Sequence, residues 1–169
     1  MQFEKFQNMT ALEATDFLGK FRENGELLLR QRKIDVSVMS ADDLALGLAQ
    51  LASQTLRVVL PTDLSIPQSI RNTQAYRDNA WEFTPESRPL VIAGGYLLGE
   101  WFHRTFENLS WSTGNQAYLT GGMPVIVGFR SNKEMPPLLI AENLFHRFQQ
   151  QRDSSGIFET MIGKWVSNI

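Results

Sequence analysis

The stretch Pro89-Leu90-Val91-Ile92-Ala93-Gly94-Gly95-Tyr96-Leu97-Leu98-Gly99-Glu100-Trp101-Phe102-His103-Arg104-Thr105-Phe106-Glu107 decides the fold of this chain. At helical spacing, Val91, Gly95, Leu98, Phe102 and Thr105/Phe106 form one stripe, while Leu90, Ala93, Tyr96, Leu97 and Trp101 fill much of the remaining circumference. A helix apolar on nearly every side must be surrounded, so its first half is expected to be buried. The run from Leu90 to Gly99 stops at Glu100, well short of the about 20 apolar residues that cross a membrane. Gly94, Gly95 and Gly99 each cost about 1 kcal/mol against Ala in a helix interior. They therefore mark close approach by a neighbouring backbone or a ligand, packing being the preferred reading.

Upstream, Thr10 with Glu13 makes a capping box, and Leu12, Phe17, Leu18 and Phe21 carry an apolar stripe toward a stop at Asn24-Gly25. Ser40 with Asp43 opens a second helix whose stripe runs through Leu44, Leu48, Leu51, Thr55 and Val58/Val59 to Pro61. Ser65-Ile66-Pro67 starts a third, leading through Ile70, Ala75 and Tyr76 to Ala80. Downstream the period shortens. Leu109 to Thr113, Gln116 to Thr120 and Met123 to Phe129 read as strands separated by Gly114-Asn115 and Gly121-Gly122, dipeptides suited to hairpin turns. Pro124 places the start of the last strand at an edge or bulge. Leu138 to Gln150 and a helix capped by Asp153-Ser154-Ser155-Gly156 close the chain. The expectation is a mainly helical α+β fold: four helices, a three-stranded antiparallel meander, then two C-terminal helices, all in one domain over residues 1–169.

Sixteen basic and eighteen acidic residues among 169 give a net charge of −2. That leaves no global positive field to hold a phosphate backbone, which disfavours a dedicated nucleic-acid binder. The absence of Cys excludes disulfides, thiolate nucleophiles and cysteine-held metals. The opening Met1-Gln2-Phe3-Glu4-Lys5-Phe6 lacks the basic and apolar pattern of an export signal, so a cytoplasmic protein without membrane attachment is expected.

The chain has two histidines, His103 and His146. Glu100, His103 and Glu107 fall at i, i+3 and i+7 beside Arg104, on one helix face. Glu-x-x-His is the ligand unit of di-iron bundles, with Glu142 and His146 as a weaker echo. Polar residues at the end of an amphipathic helix are the plainer reading, and no metal is expected. No Gly-x-Ser-x-Gly turn is present, Ser110 and Ser112 simply flank Trp111, and the glycine set fits neither phosphate loop nor dinucleotide fingerprint. Neither catalytic residues nor a cofactor is expected. Trp101, Trp111, Tyr118 and Trp165 are aromatic anchors that serve either a core or an interface.

Gly94-Gly95-Tyr96-Leu97-Leu98-Gly99-Glu100-Trp101-Phe102 resembles the Gly-x-Tyr-Leu-Gly-Glu helix of small bacterial domains of unknown function. The likeness continues through a Trp-bearing strand at Ser110-Trp111, a hairpin, an apolar strand and two helices, over Pro67 to Ile162. Here Leu98 lengthens the motif to Tyr-Leu-Leu-Gly-Glu. The resemblance implies a protein similar to immunity proteins, whose partner is a cognate toxin or effector. Aromatics beside Glu100, Glu107, Glu134 and Glu142 would suit a basic active-site cleft on such a partner. By polarity and expected exposure, the partner-binding candidates are Glu100, His103, Arg104, Glu107, Trp111 and Tyr118. The competing readings are a small enzyme using Glu100 and His103 as acid and base, and a non-catalytic scaffold or subunit module.

Overall fold

A computed structural model of the chain describes residues 4–60, 64–74, 80–150 and 156–169. Among them the order is α1 (Glu4–Gln7), α2 (Ala11–Gln31), α3 (Ala41–Ser53), β1 (Arg57–Val59), α4 (Gln68–Arg71), β2 (Trp81–Phe83) and α5 (Arg88–Thr105). Then come β3 (Ser110–Thr113), β4 (Pro124–Val127), α6 (Pro137–Gln150) and α7 (Gly156–Val166). The fold is α+β and mainly helical, and both expected capping boxes form, Thr10 with Glu13 and Ser40 with Asp43.

The decisive stretch is α5, which packs against α2, α3 and α6. Every residue from Leu90 to Phe102 except Ile92 is buried. The glycines let neighbours come close. A Cβ on Gly95 would stand 2.8 Å from the Leu138 Cα of α6, and one on Gly94 would stand 2.6 Å from the Phe145 ring. At Gly99 it would overlap the Trp111 indole. All three are packing positions.

The helix α2 does not stop at Asn24-Gly25 but continues to Gln31. Ala14, Phe21, Gly25 and Leu29 are its buried residues, recurring at steps of seven, four and four, so Gly25 lies within the stripe. A side chain there would collide with Cβ and Cγ of Tyr96, so this glycine is the contact point of two helices.

The second expected helix ends early, at Ser53, and Arg57–Val59 is a strand. Two causes combine. Val58 and Val59 are β-branched and favour extended backbone. The carboxamide of Gln149 on α6 also donates to the carbonyls of Ala52 (2.9 Å) and Thr55 (3.1 Å), satisfying acceptors that a continuing helix would otherwise claim. β1 pairs antiparallel with β2, Val59 opposite Trp81 and Arg57 opposite Phe83, a ribbon that helical periodicity concealed. Of the third expected helix, Gln68–Arg71 forms and the helix is interrupted at 72–73, Gln74 being helical again, while residues 75–79 lie outside the described residues. So do residues 153–155 of the expected cap of α7.

The three-stranded meander is replaced by two two-stranded sheets. β3 pairs with β4, Trp111 opposite Ile126 and Thr113 opposite Pro124. Gln116 to Thr120, expected as the middle strand, folds as consecutive turns instead. The Asn115 side-chain oxygen accepts the Ala117 N–H (2.9 Å), its carbonyl accepts the Tyr118 N–H, and the Tyr118 carbonyl accepts the Gly121 N–H. Local side-chain bonds of this kind compete directly with a ladder. Among the described residues the far edge of β4 takes only Met135, which exchanges two hydrogen bonds of 2.8 and 2.9 Å with Ile126.

Candidate functional site

Four-residue spacing along α5 puts Tyr96, Glu100 and Arg104 on one stripe. The Glu100 side chain is 5% exposed, yet its carboxylate is fully engaged. One oxygen accepts Arg104 Nε at 2.7 Å, and the other accepts the Trp111 indole N–H at 3.0 Å. The indole reaches it because Gly99 leaves room for the ring. Trp111 lies nearly parallel to Tyr96, centroids 6.2 Å apart, and edge-on to Phe21 at 5.8 Å.

Burial pushes the Glu100 carboxyl upward, but the hydrogen bonds from Arg104 and Trp111, with the charges of Arg104 and Arg22, hold it below the usual carboxylate range. Burial and the Glu100 charge together push the Tyr96 phenol up to about 12. Near neutral pH, therefore, Glu100 is a fixed anion with both oxygens engaged and Tyr96 a neutral phenol. This arrangement positions a cation and is poorly suited to moving a proton.

The stripe floors a cleft of about 460 Å³ between α5, the end of α2 and the turn that follows it. That size is within the usual range of small-molecule sites, about 300–1,000 Å³. Charged groups of both signs meet there: Arg30, Lys33 and Arg104 with Glu26, Asp35 and Glu100. Glu26 is paired with Arg30 at 2.5 Å. One Asp35 oxygen accepts both the backbone N–H (2.9 Å) and the hydroxyl (2.7 Å) of Ser37. Those bonds, with a smaller effect from Arg104, hold the Asp35 carboxyl below its ordinary value. Arg104 is about half exposed, and among the described residues only its Nε has a hydrogen-bond partner. Leu29, Ile34 and Val36 add an apolar wall.

Of the six candidate residues, the fold thus brings together Glu100, Arg104 and Trp111. His103 turns elsewhere: its Nδ1 is 3.0 Å from the Leu109 carbonyl, which can only accept, so that nitrogen carries the proton. Glu107 is exposed in the turn after α5, outside these bonds. Tyr118 is exposed on the loop between β3 and β4, followed by Leu119, which is 82% exposed. The suggested acidic face does not form as one surface. Glu100 is enclosed, and the half-buried Glu134 spends its carboxylate on the Asn115 N–H and the Thr120 hydroxyl.

Sequence reasoning missed Glu26, Arg30, Lys33 and Asp35 because it ended α2 too soon. The Glu26/Arg30 pair at i, i+4 and the recurrence Phe21, Gly25, Leu29 were the available signals. It also missed the surroundings of His146. That ring stacks on Trp81 at 4.2 Å and meets Phe83 edgewise at 4.5 Å, while the Arg57 guanidinium lies over the same Trp81 ring at 5.3 Å. Among the described residues no three His, Asp or Glu side chains converge as a metal site, and no helix is long and apolar enough to cross a membrane. Comparison with family models, curated proteins and solved structures returns no match, so the functional reading rests on the chain's own geometry.

Proposed function

We propose that this chain is a cytoplasmic protein-binding inhibitor of the immunity type, which neutralises a secreted toxin or effector by covering its active site. The observation that supports this reading is the loop between β3 and β4. Tyr118 and Leu119 are 58% and 82% exposed, yet the backbone beneath them is tied down. Glu134 accepts from Asn115 and Thr120, the Gln116 carboxamide donates to the Met9 carbonyl (3.2 Å), and Gly114 and Met123 close the base at 2.8 Å. Apolar anchors on a pre-ordered loop bind without a large ordering cost, and Tyr is enriched among interface hot spots. The rival acid/base reading draws less support, because Glu100 is held by Arg104 and Trp111 while His103 is held by Leu109.

The test begins by capturing partners of the immobilised chain from lysate of its source organism, then expressing any stoichiometric partner alone and together with this chain. The expected partner is toxic alone and harmless in its company. Tyr118→Ala and Leu119→Ala should each weaken the complex at least about tenfold, while His103→Ala leaves it nearly unchanged. A partner harmless on its own would favour the scaffold reading, and failure to retain any partner would end both.

A further inference from the structure

The cleft beside Glu100 has no part in that docking loop, and its chemistry points to a ligand of its own. We infer that it binds a small zwitterion of the amino-acid type, with the carboxylate on Arg104, the ammonium on Asp35 and an apolar side chain against Leu29, Ile34 and Val36. The argument starts from Arg104. Its Nε is spent on the enclosed Glu100 carboxylate, which in turn is fixed by the Trp111 indole, so the guanidinium is held from behind. Both Nη groups remain available in the planar fork geometry that matches a carboxylate with two parallel bonds. Asp35 supplies the complement: one oxygen is occupied by Ser37, and the other forms no hydrogen bond among the described residues.

Three cations and three anions line the cleft, so a dianion such as phosphate would face as much repulsion as attraction. A molecule carrying one charge of each sign satisfies both ends. The Leu29, Ile34 and Val36 wall gives the remaining volume an apolar side, and about 460 Å³ accommodates a side chain as large as that of phenylalanine.

Trp111 makes the test direct, because its indole N–H bonds to Glu100 and should report a ligand at Arg104. The full chain, labelled with 15N, is titrated with L-phenylalanine, L-leucine, 3-phenylpropanoate, 2-phenylethylamine and inorganic phosphate while the indole and Arg104 Nε–H signals are followed. Saturable shifts are expected with the two amino acids, at least about tenfold weaker binding for the probes lacking one charge, and none with phosphate. Arg104→Gln and Asp35→Asn should each weaken L-phenylalanine binding by at least about tenfold. Asp35 is exposed and its change leaves the Glu100 bonds in place, so that variant reads binding even if Arg104→Gln perturbs folding. Absence of saturation with either amino acid overturns the inference. Equal binding of phosphate, or of 3-phenylpropanoate and L-phenylalanine, overturns the zwitterion assignment.

Discussion

Glu100 sits beside Trp111 of β3 and one turn from Tyr96 on α5, whereas His146 of α6 sits between Trp81 and Phe83 of β2. Each is an ionisable side chain among aromatic rings, but the surroundings treat the charge differently. Around Glu100, two donors aim at the carboxylate and keep it ionised against the pull of burial. Around His146, burial dominates, and despite the opposing charge of Glu142 the imidazole is held below its ordinary value and prefers to stay neutral. Aromatic surroundings alone do not decide a protonation state. The polar atoms aimed between the rings do.

The largest expected effect is on the His146 side. Trp81 is 5% exposed and contacts Phe83, His146 and the Arg57 guanidinium, so Trp81→Ala should cost about 3–5 kcal/mol in denaturant unfolding. A loss under about 1 kcal/mol would mean the β1–β2 ribbon folds independently of its aromatic anchor.

Next, Glu100→Gln should cost about 1–2 kcal/mol at neutral pH, because one of the two accepting oxygens becomes an NH2 that faces a donor and the remaining acceptor loses its charge. The folded carboxyl titrates below its ordinary value of 4.5, so its stabilisation is fully present above that value and disappears as pH falls through the folded one. Wild type and variant should accordingly converge in stability in strong acid, and a constant gap at every pH would assign the loss to packing.

His146 shifts the acid-sensitive window upward. Its folded value lies below 6.5, so the unfolded chain takes up the proton first; stability is complete above 6.5 and declines as pH falls toward and through the folded value. His146→Phe should remove the part of the Tm decline that begins just below neutral pH while leaving the Glu100 step. An unchanged profile would dissociate the imidazole from acid sensitivity. The smallest effect is expected at Val59, which is 76% exposed although it lies opposite Trp81 in the ribbon. Val59→Lys should stay within about 0.5 kcal/mol of wild type by denaturant unfolding, separating the anchoring strand from its outer partner.

How much of this was legible depended on the length of the signal. The α5 segment is long and apolar, and its burial follows from the sequence; both capping boxes are local, and both form. The errors arose where a short pattern suits two structures. Val58 and Val59 continue a helical stripe as well as a strand, and the deciding partner, Gln149, is distant in sequence. Gln116 to Thr120 has strand composition, yet Asn115 bonds its own neighbours. Gly25 looked like a terminator because only the folded structure reveals Tyr96 filling its space. At the candidate site, Glu100 and Arg104 followed from helical spacing, while the other wall of the cleft depended on two further turns of α2.

The Gln149 contact also has a consequence for synthesis. Its carboxamide closes over carbonyls of Ala52 and Thr55, 97 and 94 residues earlier in the chain. At about 5–20 residues per second, a ribosome needs about 5–20 s to travel from the end of α3 to that glutamine. Throughout that interval those carbonyls have only water and their own neighbours as partners, Ala52 accepting from the backbone and hydroxyl of Thr55, and the long-range clasp from α6 does not yet exist. β1 can pair with β2 well before that, so the contact that joins the end of α3 to α6 is the one made late, and a nascent chain paused before Gln149 should lack it while already holding the β1–β2 ribbon.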